Sequence, residues 1–284
     1  MKYHDISKKL YIISNHEHIL AEGPLWDSKY KRFLFVDIDK KSFYIFKNNS
    51  LSKFLLPKKI SSIILTKNSR YLILSTFNSL IKYDIFNKKI THILNKSKFK
   101  DERYNDSFVY NHSVFLISSM DHKQKKKVGN LYLFNKFKKK ILLKNFIIGN
   151  GIDFCRLKKI FYFSISDLGL IKSFKISNHT IYENKIFCKI PKKFGVPDGI
   201  TVDKKGGVWV ACWGGGCLLR YDRFGKITDI FKVPNLYTTS ICFGGSNMNK
   251  IYITTAKNKN SKILGSVYSF NTSYTGYVSR YLSS

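Results

Sequence analysis

Acidic residues are scarce in this 284-residue chain: 18 Asp and Glu stand against 50 Lys and Arg, a formal net charge of +32. No run of about 18 apolar residues occurs, so a membrane-spanning helix is not expected. The N-terminal stretch MKYHDISKKLYIISNHEHIL lacks the h-region and small-residue cleavage site of a secretory signal, because Asn15, His16, Glu17 and His18 interrupt its apolar residues. The expected compartment is the cytoplasm, with no membrane partner. The five cysteines (Cys155, Cys188, Cys212, Cys217 and Cys242) are an odd count without a C-x-x-C pair. That excludes the usual disulfide framework and thiolate zinc site and fits small buried hydrophobes in a reducing compartment. No apolar period of three to four residues is sustained, so little helix is expected.

The basic excess raises the question of a polyanion partner, because clustered Lys and Arg displace counterions from phosphates. Here the charge is spread along the whole chain, and Arg occurs only at positions 32, 70, 103, 156, 220, 223 and 280. Specific base recognition leans on the planar fork of Arg. Lys accompanies abundant Ile, Asn, Phe and Tyr, the residues that AT-rich codons encode. Compositional drift accounts for the charge better than a nucleic-acid site, and no specific nucleic-acid partner is expected.

What the chain does have is a repeat. Strongly apolar runs begin at Phe33 (FLFVDI), Tyr71 (YLILST), Val114 (VFLISS), Ile160 (IFYFSI), Val208 (VWVACW) and Ile251 (IYITTA). Their mean spacing is about 44 residues, within the range of propeller blades. A further strand-like run follows each (SFYIF, LIKYDIF, NLYLF, LIKSFKI, CLLRYD, SVYSF), and several are followed by another, such as KFLLP and ITDIFKV. Short, aromatic-rich, period-two runs bounded by turn residues are strands. The expected fold is all-β: a six-bladed β-propeller with four antiparallel strands per blade, forming one domain over residues 1–284. DHKQKKKV, residues 121–128, is the least regular stretch and is expected to be an exposed loop.

The first strand of each repeat opens on a polar residue: EGPLWD from Glu22, SSIILT from Ser61, NDSFVY from Asn105, NGIDFC from Asn150, DGITVD from Asp198 and TSICFG from Thr239. First strands line a propeller's channel, so Glu22, Asn105, Asn150 and Asp198 are expected to converge on the axis. Carboxylate and amide oxygens are hard donors suited to Ca²⁺, Mg²⁺ or Mn²⁺, and the absence of His or Cys at these openings disfavours structural zinc. Asn150-Gly151 and Asp198-Gly199 are also ordinary turn dipeptides, so spacing alone leaves a metal ring and plain turn chemistry both open.

The segments EGPLWD…LFVDI, RYNDSF, GNGIDF, VPDGITVDKKGGVWVACWGGGCLLRYDRFG and TTSICFGG…IYITTA occur in the order found in the gluconolactonase / senescence marker protein / regucalcin family, which the chain resembles over nearly its whole length. The resemblance implies a six-bladed propeller that hydrolyses a sugar lactone to the aldonic acid. It implies one divalent cation, Ca²⁺ first and Zn²⁺, Mg²⁺ or Mn²⁺ as alternatives, on Glu22, Asn150 and Asp198. It carries substrate contacts to Arg103 and Asn105, and Asp198 is the candidate general base. A non-catalytic calcium-binding or regulatory propeller is the competing reading. The chain departs from the family where an acidic substrate contact precedes the third blade's G-x-L-Y: Lys stands near position 125. After the fourth blade's second strand it carries Ile165-Ser166-Asp167.

Three other features point to structure. His16-Glu17-His18 alternates along a strand, which sends Glu17 to the opposite face, and an exposed edge is its expected setting. Trp209 and Trp213 flank Cys212 and are expected in the core. Gly214-Gly215-Gly216 is expected to be a turn, since no phosphate-loop Lys-Ser/Thr follows.

Overall fold

Six antiparallel sheets surround one axis in the computed structural model, which describes residues 1–94, 101–258 and 262–283. Blade one comprises Ala21–Asp27, Arg32–Asp37, Ser42–Lys47 and Ser50–Leu55, from the axis outward. The inner strands of blades two to six are Ile60–Leu65, Glu102–Val109, Gly149–Cys155, Val196–Val202 and Thr238–Gly244. In blades one to five the four blade strands form a meander in which consecutive strands pair. The expected six-by-four architecture is what the chain adopts, and among the described residues helix is confined to two short 3₁₀ turns, Ser7–Lys9 and Lys192–Phe194. Among the described residues, no helix is long and apolar enough to cross a membrane.

The ring is closed by the N-terminal segment. Tyr11–His18 forms the outermost strand of blade six, antiparallel to Gly265–Asn271, while Lys2–Asp5 adds a fifth, parallel strand outside blade five. Aromatic and β-branched side chains fill the wedges between blades: Phe33 of blade one stacks on Tyr252 of blade six with ring centroids 4.2 Å apart. Trp209 is fully buried in this wall, as expected, whereas Trp213 is only partly covered and lines the axial cavity described below. Residues 214–216 form the expected turn, and all five cysteines are free.

The exposed setting expected for His16-Glu17-His18 holds for His16 and Glu17 but fails for His18. His16 adopts φ +48°, and the register slips between Ser14 and His18, so the simple alternation is broken. His18 is turned fully inward, where Nε2 lies 2.8 Å from Ser14 Oγ and Nδ1 lies 3.3 Å from Asp37 Oδ2. Asp37 also accepts from the backbone N–H groups of Ile19, Leu20 and Lys40. This network fastens the closing strand of blade six to blade one. Among the described residues, no group of three or more His, Cys, Asp or Glu side chains gathers here to hold a metal ion.

All six inner strands share one irregularity: pairing with the second strand slips near the start, between Glu22 and Leu25, Ile60 and Ser62, Tyr104 and Ser107, Gly149 and Ile152, Pro197 and Ile200, and Thr238 and Ser240. A bulge inserts an unpaired residue and re-aims its side chain. Here it recurs at the register that bears Glu22, Asn105, Asn150 and Asp198.

Candidate functional site

Glu22, Arg103, Asn105, Asn150 and Asp198 all line one axial cavity of about 110 Å³ at the end where the inner strands begin. The turn reading of Asn150-Gly151 and Asp198-Gly199 fails, because both pairs lie within inner strands. Their glycines answer a different need. A Cβ on Gly151 would stand 2.5 Å from the Ile200 nitrogen and 2.8 Å from the Asp198 carbonyl oxygen, and one on Gly199 would collide with Ser240. Only glycine lets neighbouring inner strands approach this closely.

The electrostatics of the cavity are unbalanced. Burial, reinforced by the nearby Asp106 charge, pushes the Glu22 carboxyl up to about 8. Burial and the Glu22 and Asp106 charges hold Asp198 well above the usual carboxylate range. Glu22 Oε2 accepts from the Gly23 N–H at 3.1 Å, while Asp198 Oδ1 is buried with no hydrogen-bond partner. Asn150 donates through Nδ2 to Ser166 Oγ at 3.3 Å, and Ser166 donates in turn to the Pro197 carbonyl at 2.6 Å, one residue before Asp198. Two repelling carboxylates, an orphaned buried oxygen and an amide carbonyl are a donor set that fits a hard divalent cation.

Arg103 is buried beside them. Its Nη1 donates to the Tyr104 carbonyl at 3.2 Å and to Asn105 Oδ1 at 2.9 Å, and its guanidinium lies over the Phe77 ring with 4.9 Å to the centroid. Burial lowers its pKa to about 10, opposed by the charges of Glu22, Asp39 and Asp198, so it stays protonated at neutral pH. Asn105 also donates Nδ2 to the Gly149 carbonyl at 2.9 Å. With both ends of its amide engaged, Asn105 orients Arg103.

Ile38, Met120, Gln124, Ser166 and Trp213 also line the cavity and were not singled out from sequence as cavity residues. The loop after Asp121 is exposed as expected, but the residue it presents to the cavity is Gln124 and not Lys125. Lys125 contributes its backbone N–H to Asp121 Oδ2 at 2.6 Å. Asp167 caps the approach to blade four, accepting from the Ile147 and Ile148 N–H groups at 3.2 and 2.8 Å. A second axial cavity of about 140 Å³ lies toward the other end and is lined by Asp106, Asp153 and the C-terminal residues Tyr277 to Arg280. Asp153 is engaged there by Thr201 Oγ1 and the Val202 N–H, at 3.0 and 2.8 Å.

Fold and cavity together define a six-bladed propeller with a carboxylate–amide cluster on its axis. Residues 20–257 match the SMP-30/Gluconolactonase/LRE-like region, and the chain belongs to that family. It is 31% identical over 260 residues to an uncharacterized protein of Sulfolobus acidocaldarius, covering 86% of this chain and 90% of that one. It is 26% identical over 259 residues to the regucalcin of Danio rerio, covering 88% and 87%. The crystal structure of a calcium-binding protein, regucalcin, from Agrobacterium tumefaciens superposes with a TM-score of 0.91 at 19% identity, over 99% of both chains, a likeness of fold.

Proposed function

We propose that this protein hydrolyses a sugar lactone to the corresponding aldonic acid, with a divalent cation held by Glu22, Asn150 and Asp198. The observation that carries the reading is the pair of repelling carboxylates, buried Asp198 and half-buried Glu22, set beside an amide on the propeller axis, with Asp198 Oδ1 lacking any partner. Family membership supports the reaction class. When bound, the cation supplies Lewis-acid polarisation of the lactone carbonyl or a more acidic water.

The protein's own groups do the rest. Asp198 is the general base: it takes the proton of the water that adds to the carbonyl carbon, and it returns that proton to the ring oxygen as the ester C–O bond breaks. Ser166 accepts from Asn150 Nδ2 and so anchors the amide beside the cluster. Arg103 donates hydrogen bonds to oxygens of the bound sugar from a dry wall, where such bonds are stronger than in water. Asn105, clamped to the Gly149 carbonyl, prevents the guanidinium from swinging away.

Acid release from glucono-δ-lactone, measured with each divalent cation and with chelator, tests the reading. Asp198→Ala should lower the rate on the order of 10²-fold or more, and chelation should do the same. Rates that match the spontaneous reaction in buffer with every cation would sink the enzyme reading. Cation binding without turnover would favour the calcium-binding alternative, which has its own support in the relatives named regucalcin.

A further inference from the structure

We propose that the lactone taken by this cavity is anionic, carrying a carboxylate or phosphate away from the scissile ester, with Arg103 as its counter-ion and Gln124 as the residue that permits it. The inference rests on the lactonase reading and adds the substrate class.

Arg103 is the built element. A buried guanidinium normally sits against a carboxylate. Yet among the described residues no carboxylate lies within ion-pair distance of Arg103. Its two hydrogen-bond acceptors, the Tyr104 carbonyl and Asn105 Oδ1, are both neutral. Its charge therefore faces a cavity whose lining acids, among the described residues, are Glu22 and Asp198, the pair assigned to the cation, while Asp39 acts on it from outside the lining without an ion pair. An anionic group on the ligand supplies the missing partner.

Gln124 is placed by design of its loop. The Asp121 carboxylate, itself buried, gathers the backbone N–H groups of Lys123, Lys125 and Lys126 at 3.3, 2.6 and 2.8 Å. The Gln124 N–H donates to the Asp121 carbonyl at 3.1 Å, and Gln124 takes φ +57°. This knot holds an exposed but fixed Gln124 at the rim, where its amide is neutral and both donates and accepts. A carboxylate at this position would repel an anionic substrate; Gln does not.

The rim adds a field. Lys123, Lys125 and Lys127 are exposed on the same loop and have no carboxylate partner among the described residues, whereas Lys126 is paired with Asp101 at 2.6 Å. Lys192 and Lys193 lie just before the strand that carries Asp198. A cleft framed by one sign of charge concentrates ligands of the other. Lysine is abundant everywhere in this chain, so the rim alone decides nothing; it acts together with Arg103.

The test compares kcat/KM for three lactones at one cation concentration: D-glucono-δ-lactone (neutral), D-glucaro-1,4-lactone (carboxylate) and 6-phospho-D-glucono-δ-lactone (phosphate). One anionic lactone should lead the neutral one on the order of tenfold, as expected for a charge-assisted contact in a dry wall, and the lead should shrink as salt rises. Which of the two leads identifies the anion. Gln124→Glu should cut the anionic-to-neutral ratio on the order of tenfold. A neutral lactone used as well as both anionic ones overturns the inference and leaves the lactonase reading standing. If none is hydrolysed, the lactonase reading fails, and the inference is decided by calorimetry on the chelated protein. Tighter binding of D-glucarate than of the neutral polyol D-glucitol, lost in Arg103→Met, upholds an anion site; equal affinities overturn it.

Discussion

Removing the cation should make this protein less stable as the pH rises through neutrality, and Glu22 sets the size of the effect. In the metal-free cavity, burial and Asp106 lift its carboxyl from 4.5 to about 8. A carboxyl raised in this way keeps its proton in the folded chain after the unfolded chain has lost it. Its contribution to stability is therefore complete below about pH 4.5 and lost progressively as the pH climbs to about 8. The whole interval corresponds to at most about 5 kcal/mol. Glu22 shares its cavity with Asp198 and reaches some solvent, so about 2–3 kcal/mol is the working figure. For a chain of this length that is a fall of about 4–8 °C in melting temperature. The assay is thermal unfolding of wild type and Glu22→Gln in chelator, from pH 5 to 8.5. The variant should overtake wild type as the pH rises, because it lacks the charge that burial opposes. Saturating Ca²⁺ or Mg²⁺ should reverse the order, since two ionised carboxylates then meet a positive partner that the variant half lacks. Parallel curves in chelator, or a difference indifferent to added cation, would refute the reasoning about the cavity and with it the metal assignment.

Other perturbations test the supports of the site. Gly151→Ala should destabilise by about 1–3 kcal/mol, because its Cβ must push the Ile200 backbone aside; the urea midpoint measures it, and a neutral result would mean the strands can separate freely. Ser166→Ala removes the acceptor of Asn150 Nδ2 and should weaken cation affinity about 10–100-fold, with activity recovered at higher cation concentration; unchanged affinity would show that Asn150 needs no such anchor. His18→Ala strips Asp37 of its imidazole partner and removes ring contacts to Phe35 and Tyr44, at 5.1 and 5.0 Å. It should cost about 2–4 kcal/mol and expose the segment ending at His18 to protease, whereas protection equal to wild type would show that strand pairing alone closes the ring.

How far the sequence could be read depended on whether a residue's partner was near in the repeat or distant. The blades were legible because each strand carries its own apolar alternation and each repeat supplies its own turns. The convergence of Glu22, Asn150 and Asp198 followed from one shared register, a property of the repeat. The role of Gly151 and Gly199 was not legible, because close approach between adjacent inner strands leaves the same Asn-Gly and Asp-Gly signature as a turn. His18 was misplaced for a similar reason: its partner Asp37 lies in another blade, and the left-handed kink at His16 undoes the alternation that argued for exposure. Gln124 was missed by one position, since the knot tied by Asp121 depends on backbone hydrogen bonds that no side-chain pattern announces.

The scarcity of acids acquires a meaning once their places are known. Asp27 is buried against Arg32, Asp203 against Arg220 and the Trp209 indole, and Asp229 against His4 and Tyr274. Asp37 and Asp121 are buried too, each gathering several backbone N–H groups. Drift toward lysine could strip carboxylates from the surface at little cost, because exposed ion pairs stabilise by about 0–1 kcal/mol. It could not strip these, because each leaves a buried donor or cation unpaired when removed. Against that background Glu22 and Asp198 differ in how little holds them among the described residues: Glu22 accepts from the Gly23 N–H, and Asp198 Oδ1 has no hydrogen-bond partner. A carboxylate pair held by so few donors in a largely buried cavity costs the metal-free fold stability, and the crossing of the Glu22→Gln and wild-type melting curves measures that cost directly.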